Sequence, residues 1–445
     1  MSNDIVILVM LGLFLGLSFL GTPVAFALVG AVLVGTALSG AGFDAVISQL
    51  FNGVNSVPLL ALPFFLLVAE LMNSTDVTTK IIRFVQSLVG HIRSSLAQVD
   101  SLFSILFAGV SGSSTADVAA NAKVLLPAMR KEGYDMASAA ALIAASSTIA
   151  NMIPPSILAV VYGAAGGVSI AGLFLGGAVP GLMIGIGLML YAYFFVHAGE
   201  PRPRASFREI AGAAKGSALP MMIPLIIMGG ILGGAFTPTE AGMIAVVFVI
   251  IVLIPLTARN HLPRLPRDFV NAAVLYALPL IAVAAASAFA WLFTYLGGAE
   301  AVSDVVLAVA GEEPIGILLT VVAMLVVIGQ FVDAIPAIIV LMPIISTLQE
   351  QGDVNPIHMG VVVIVTLALG LITPPYGLSL LLSTYFAKVS FYSGVRRSVP
   401  LYGIFFGVIA LLVVFPEISL WLPRLLTPQA AGCFPAPGGD GFICP

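Results

Sequence analysis

Charge is what this chain has least of. Only 9% of its 445 residues are Asp, Glu, Lys or Arg, while 60% are hydrophobic; soluble domains carry roughly 25% charged residues. With a mean hydropathy of +1.13, the apolar surface exceeds what a soluble core could hide, which leaves a polytopic membrane protein. Cysteine is nearly missing too. Cys433 and Cys444 lie in the last thirteen residues, so no cysteine metal or redox motif exists in the body of the chain. The four histidines (His91, His197, His261, His358) share no metal spacing. The few basic residues form no tract, and the net charge of −4 offers nothing to a nucleic acid. No His, Asp or Cys cluster has catalytic spacing, and the Gly-x-Gly-Asp element of intramembrane aspartyl proteases is missing, so an enzyme is not what the sequence describes. Met1-Ser-Asn-Asp lacks the basic n-region of a cleaved signal, which makes the first apolar stretch a retained helix.

What is present is a set of long apolar runs, two of them interrupted alike. Spans of about 20 apolar residues are read at roughly 4–20, 22–40, 56–73, 135–165, 170–197, 218–236, 239–258, 271–296, 358–387 and 397–422. The overlong runs 135–165 and 358–387 are broken by Ile153-Pro154-Pro155-Ser156 and by Thr373-Pro374-Pro375-Tyr376-Gly377. Two further stretches, 97–129 and 314–348, carry central Gly, Ser or Pro clusters and an Asp (Asp117, Asp333), and read as re-entrant hairpins. Residues 74–96 read as an amphipathic interfacial helix, and the Gly- and Pro-rich 424–445 as an extramembrane tail in loop conformation. In lipid an unwound helix survives only where protein or a cavity satisfies its backbone groups. Two matching breaks in the two halves of a chain point to a transporter's binding site.

Basic residues orient the chain. With both hairpins re-entrant and the N-terminus outside, every Lys and Arg except Lys123 and Arg424 falls inside, while Asp44, Glu300, Asp304, Glu312, Glu313, Glu350 and Asp353 collect outside. The two hairpins then enter from opposite sides, as inverted repeats, and both termini are periplasmic. Cys433 and Cys444 also lie outside, where a disulfide and two free thiols are both open.

Sodium is a hard cation suited to carbonyl and hydroxyl oxygens, which a broken helix supplies. The first hairpin tip offers Ser111, Gly112 and Ser113, facing Ala150 and Ile153 (sodium site 1). The second offers Gly329, Phe331 and Asp333, facing Gly370, Thr373 and Tyr376 (sodium site 2). Ser111, Ser114, Thr115, Asp117, Asn151, Gln330 and Asp333 are the candidate substrate-binding residues. Small residues also serve tight helix packing, and each Asp would equally cap or brace its hairpin. Lys123 is either a substrate counter-charge or a side chain snorkelling to the cytoplasmic surface.

Several stretches resemble the large membrane subunit of tripartite ATP-independent periplasmic (TRAP) transporters, the DctM family. They are Leu59-Leu60-Ala61-Leu62-Pro63-Phe64-Phe65, Gly112-Ser113-Ser114-Thr115-Ala116-Asp117, Gly133-Tyr134, Ile153-Pro154-Pro155-Ser156, Phe236-Thr237-Pro238-Thr239-Glu240-Ala241 and Ile372-Thr373-Pro374-Pro375. They occur in order across residues 1–423. Lys123 and Ala150 depart from the pattern. The resemblance implies a bacterial inner-membrane, sodium-coupled importer of a small organic acid, with an elevator-type scaffold and transport part. It implies a small four-helix membrane subunit and a periplasmic substrate-binding protein as partners, and no cofactor beyond sodium as the coupling ion. A stand-alone sodium/dicarboxylate or citrate carrier is the alternative; such carriers tend to have Ser-Asn-Thr at their hairpin tips, which this chain lacks.

Overall fold

Proline and glycine decide where the apolar runs stop. The computed structural model, which describes residues 2–75, 77–199, 201–435 and 442–444, shows an all-α polytopic membrane protein. Among the described residues, six helices are long and apolar enough to cross a membrane alone: Ile170–Phe195, Phe207–Leu232, Pro238–Thr257, Arg259–Tyr295, Ala334–Gln351 and Phe391–Val414. The other expected spans consist of shorter apolar helices, including Asn3–Phe19 and Val24–Ser39.

Four of the elements are interrupted or folded back. Ser95–Ser111 turns at Gly112 and Ser113 into Ser114–Lys131, and Pro314–Ile328 turns through 329–333 into Ala334–Gln351. Met136–Ser147 tightens into Thr148–Asn151, stops, and resumes as Ile157–Gly166; Pro356–Gly370 stops and resumes as Leu378–Ala387. Each stop holds two prolines, joined by a cis bond (Pro154–Pro155 and Pro374–Pro375), and each proline removes an amide donor and clashes with the preceding turn. The restart after the first break is capped by Ser156, whose hydroxyl accepts the Ala159 N–H at 3.2 Å.

The two halves keep a constant register. Pro154 and Pro374 are 220 positions apart, as are the helix openings Ser114 and Ala334, the openings Met136 and Pro356, and the in-helix prolines Pro180 and Pro400. The helices opened by Ser114 and Ala334 are both 18 residues long.

The structure corrects four sequence-based expectations. The stretch after Ser39, read as outer loop, contains the helix Phe43–Val54. Gly298–Ala310, also read as loop, is a helix bent by 120° against Pro314–Ile328. At 12 and 13 residues, neither is long enough to span alone. The run 397–422 is two helices, because the chain turns at Phe415 and Pro416 into Glu417–Leu426. The tail is not all loop: that last helix runs through Arg424, and strands at Phe434–Pro435 and Phe442–Ile443 pair antiparallel beside a Cys433–Cys444 disulfide. Residues 436–441 and 445 of the tail lie outside the described residues, as does Asp76 of the interfacial segment, whose helix is Val77–Val89.

Lipid tails are as apolar as leucine, so packing quality rather than the hydrophobic effect holds such helices together. Helix Ile170–Phe195 shows it. It packs on Ser95–Ser111, Pro356–Gly370, Phe391–Val414 and Glu417–Leu426. Its Gly177 lies so near the first break that an added Cβ would sit 2.5 Å from the Met152 carbonyl oxygen. A glycine there lets the helix reach the interrupted backbone itself.

Candidate functional site

Each hairpin tip is fastened to the helix break of its own half by one backbone hydrogen bond. The Ile157 amide donates to the Gly112 carbonyl at 3.2 Å, and the Tyr376 amide donates to the Gln330 carbonyl at 3.0 Å. In both halves the donor lies just past the paired prolines. The helix Pro356–Gly370, which ends at the second break, packs on both elements flanking the first break, Thr148–Asn151 and Ile157–Gly166.

At the first tip Gly112 has φ 59°, a conformation glycine adopts without strain, and an added Cβ would press into the Pro155 carbonyl oxygen. The Ser111 hydroxyl is fully buried and makes no hydrogen bond; the Asn151 amide nitrogen is likewise unpartnered. Ser113 and Thr115 share a hydrogen bond of 3.0 Å between their hydroxyls. Ser156 donates to the Asn151 carbonyl. Among the described residues nothing donates to the carbonyl of Ile153. Ser111, Gly112 and Ser113 are thus brought against the 151–157 segment, with free oxygens on both sides. Ala150 is buried in the turn before the prolines, and Ser114 is buried in the first turn of the second arm.

The second tip also approaches its break closely. A Cβ on Gly370 would lie 2.6 Å from the Gly329 carbonyl oxygen. The Thr373 hydroxyl donates to the Gly370 carbonyl at 3.2 Å. The Gln330 amide turns back to Val326 of its own helix, at 3.0 Å. Phe331 meets Phe19 of the N-terminal helix, with ring centroids 5.3 Å apart, and Tyr376 lies within electrostatic reach of Asp333.

The two aspartates differ. Asp333 caps the helix it precedes, its carboxylate accepting the Ala334 amide at 2.8 Å. Asp117 stands inside its helix, fully buried, and accepts from Ser104 of the opposite arm at 2.9 Å. Lys123 is exposed. Glu240 and Thr237 cap Pro238–Phe248 reciprocally, the Thr237 amide donating to the Glu240 carboxylate at 2.8 Å.

Sequence reasoning passed over three contributors. Asp100, fully buried on the first arm, accepts from Ser146 of the interrupted helix at 2.8 Å; a lone carboxylate in an apolar run was the signal. The Tyr402 hydroxyl donates to the Ile372 carbonyl inside the second break at 2.9 Å. Asn73 donates to the Ala116 carbonyl at 3.2 Å, tying helix Ala61–Ser74 to the first hairpin. Neither of the last two has a pattern in the sequence.

The chain has the fold of the YdaH transporter of Alcanivorax borkumensis, with a TM-score of 0.59 at 15% identity over 84% of this chain and 88% of that one. It is 34% identical over 418 residues to the sialic acid TRAP transporter large permease protein of Vibrio cholerae, covering 92% of this chain and 97% of that protein. It is 34% identical to the 2,3-diketo-L-gulonate TRAP transporter large permease protein of Escherichia coli, covering 93% and 98%. It is 31% identical to the ectoine TRAP transporter large permease protein of Halomonas elongata, covering 94% and 99%. Residues 11–418 match the family described as tripartite ATP-independent periplasmic transporter, DctM component, and the chain belongs to that family of large permease subunits.

Proposed function

We propose that this chain is the large membrane subunit of a sodium-coupled importer of a small organic acid, such as a sialic acid or a C4-dicarboxylate. A periplasmic binding protein delivers the acid, and a small four-helix membrane subunit supports the permease in the bacterial inner membrane. The observation that carries this reading is the paired fastening of hairpin tip to helix break, Gly112 to Ile157 and Gln330 to Tyr376. Such gaps gather carbonyl and hydroxyl oxygens for a cation, while the half-helix N-termini beside them favour an anion.

In this reading Ser111, Gly112, Ser113, Ala150 and Ile153 hold one sodium ion, and Gly329, Phe331, Asp333, Gly370, Thr373 and Tyr376 hold another. The unpartnered Ser111 hydroxyl and the free Ile153 carbonyl fit the first assignment. The substrate carboxylate lies between the gaps, near Ser114, Thr115, Asn151 and Gln330, with Asp117 and Asp333 at its margins. The hairpins and broken helices then slide as one part against the remaining helices, in an elevator cycle. The relatives' names span a sialic acid, a diketo sugar acid, C4-dicarboxylates and ectoine, so substrate choice is assigned to the binding protein.

The test is uptake into proteoliposomes holding this chain and its small subunit, with binding protein added. Uptake that needs a sodium gradient supports the reading. Undiminished uptake in sodium-free buffer under a proton gradient alone overturns the coupling ion, and full uptake without binding protein favours a stand-alone carrier.

A further inference from the structure

Away from both helix breaks, the seam between Ile170–Phe195 and Phe391–Val414 opens into a groove of about 510 Å³. At its inner end, towards the middle of the two helices, they touch: a Cβ on Gly187 would sit 2.5 Å from Ile404 Cγ2. One wall then stays empty at Gly403, where an added Cβ would meet nothing within 4 Å. On the other wall Tyr191 and Phe195 stack with ring centroids 5.3 Å apart, and Phe194 is exposed beside them. Apart from the Tyr191 hydroxyl, every lining side chain is apolar. Both helices are long and apolar enough to span, so this groove meets lipid.

The outer end is basic. Arg396 stands four positions before Pro400, and Pro400 three before Gly403, spacings that put all three on one helix face. Arg397 stands three before Pro400 and seven before Ile404, on the adjoining face, and within electrostatic reach of Tyr191. Both arginines are exposed. Arg397 Nε lies 3.0 Å from Asp135 Oδ2. Among the described residues Arg396 enters no ion pair. Two guanidinium groups thus meet one carboxylate, and one positive charge is left over where the groove ends.

Length selects the occupant. From Gly187 to Phe195 the groove runs about 12 Å, at about 1.5 Å per residue. One leaflet contributes roughly 15 Å to a hydrocarbon core of about 30 Å. A partner's spanning helix would overrun the Gly187–Ile404 contact, whereas an acyl chain of one leaflet ends short of it. An apolar trough of this depth with a cation at its interfacial end has the same division as an acyl chain joined to a phosphate, and basic pockets between membrane helices hold such head groups. The repeat does not demand the arginines. In the 220-residue register the first half has Gly176 and Gly177 at their positions, both buried. Orienting the chain needs basic residues on this side, but not on the face that continues the groove.

We propose that this groove binds an anionic phospholipid, with one acyl chain lying along Gly403 and the phosphate held by Arg396 and Arg397. The site is independent of the coupling ion and of the substrate. Its two walls are the helices that back the two breaks: Gly177 of one lies against Met152, and Tyr402 of the other donates to the Ile372 carbonyl. The lipid therefore fastens together the supports of both gaps.

The experiment titrates the purified complex of this chain and its small subunit with phosphatidylglycerol or phosphatidylcholine, and counts bound lipid by native mass spectrometry. It compares the wild type, Arg396→Gln and Gly403→Leu, both changes being at exposed positions. The wild type is expected to hold phosphatidylglycerol about fivefold or more tightly than phosphatidylcholine, the scale of one basic residue at an anionic surface. Arg396→Gln is expected to lose most of that preference. Gly403→Leu fills the open space without a backbone clash and is expected to weaken both lipids. Equal affinity of the wild type for the two lipids overturns the site. Unchanged phosphatidylglycerol binding in both variants also overturns it, by putting the lipid elsewhere. If Gly403→Leu releases the small subunit and leaves lipid binding unchanged, the groove belongs to that subunit and the proposal fails.

Discussion

The ring of Phe19, at the end of the N-terminal helix, lies 5.3 Å from the ring of Phe331, at the tip of the second hairpin. In the proposed cycle Phe19 belongs to the static part and Phe331 to the sliding one, so this contact exists at one end of the stroke only. Such ring pairs contribute about 0.5–1.5 kcal/mol, which shifts a two-state balance by up to roughly tenfold. Phe19→Ala is expected to change the maximal uptake rate within that range while sodium activation keeps its midpoint. Rate measurements at saturating substrate check it, and a shifted sodium midpoint at unchanged rate would place Phe19 in the ion site instead.

Gly370 and Ala150 stand at matching positions, four residues before the first proline of each break, yet they meet different surroundings. Against Gly370 stands the Gly329 backbone, with room for no Cβ; Ala150 already carries one. Gly370→Ala is expected to lose nearly all sodium-dependent uptake, and Ala150→Gly to retain most of it. Substrate uptake at matched expression decides, and equal tolerance at both positions would contradict the tight second gap.

Interruptions of this kind are legible in sequence because two adjacent prolines inside an apolar run of about thirty residues admit few conformations. The helix ends near Asn151 and Gly370, and the hairpin turns near Gly112 and Gly329, follow from that. Phe43–Val54 and Gly298–Ala310 are not legible in the same way, because a short amphipathic helix shares its composition with a polar loop. Which oxygens go unpartnered is less legible still. Nothing in the spacing of Asp100, Asp117 and Asn121 tells that Ser104 satisfies one side of two of them and leaves the other side bare.

The Tyr402 hydroxyl reaches the Ile372 carbonyl from the neighbouring helix, at 2.9 Å. The matching position in the first half is Leu182, which has no donor. Tyr402→Phe strands a carbonyl in the second break, a loss of about 1–3 kcal/mol, and the expected result is a several-fold rise in the sodium concentration for half-maximal uptake. Leu182→Ala is the control and is expected to leave that midpoint in place. Sodium titrations of both variants check the pair.

The C-terminal segment clasps the start of the second broken helix. Asn355, which caps Pro356–Gly370, donates to the Ala431 carbonyl at 3.0 Å, and His358 of that helix bonds Ser419 at 2.7 Å. Beyond Ala431 the Cys433–Cys444 bond ties the paired strands Phe434–Pro435 and Phe442–Ile443 together, next to the contact that steadies the start of the second broken helix. Closing a loop this short removes about 3 kcal/mol of chain entropy from the opened state. That stabilisation is local to the clasp and far along the helix from Thr373. Replacing both cysteines with serine is therefore expected to lower the thermal unfolding midpoint by a few degrees and to hasten proteolysis after Leu426, while sodium-dependent uptake stays within about twofold of wild type. Thermal denaturation and limited proteolysis of the purified subunit, read beside uptake, check both halves. A collapse of uptake with unchanged thermal stability would instead make the clasp a working part of the transport cycle, acting through Asn355 on the helix that ends at the second gap.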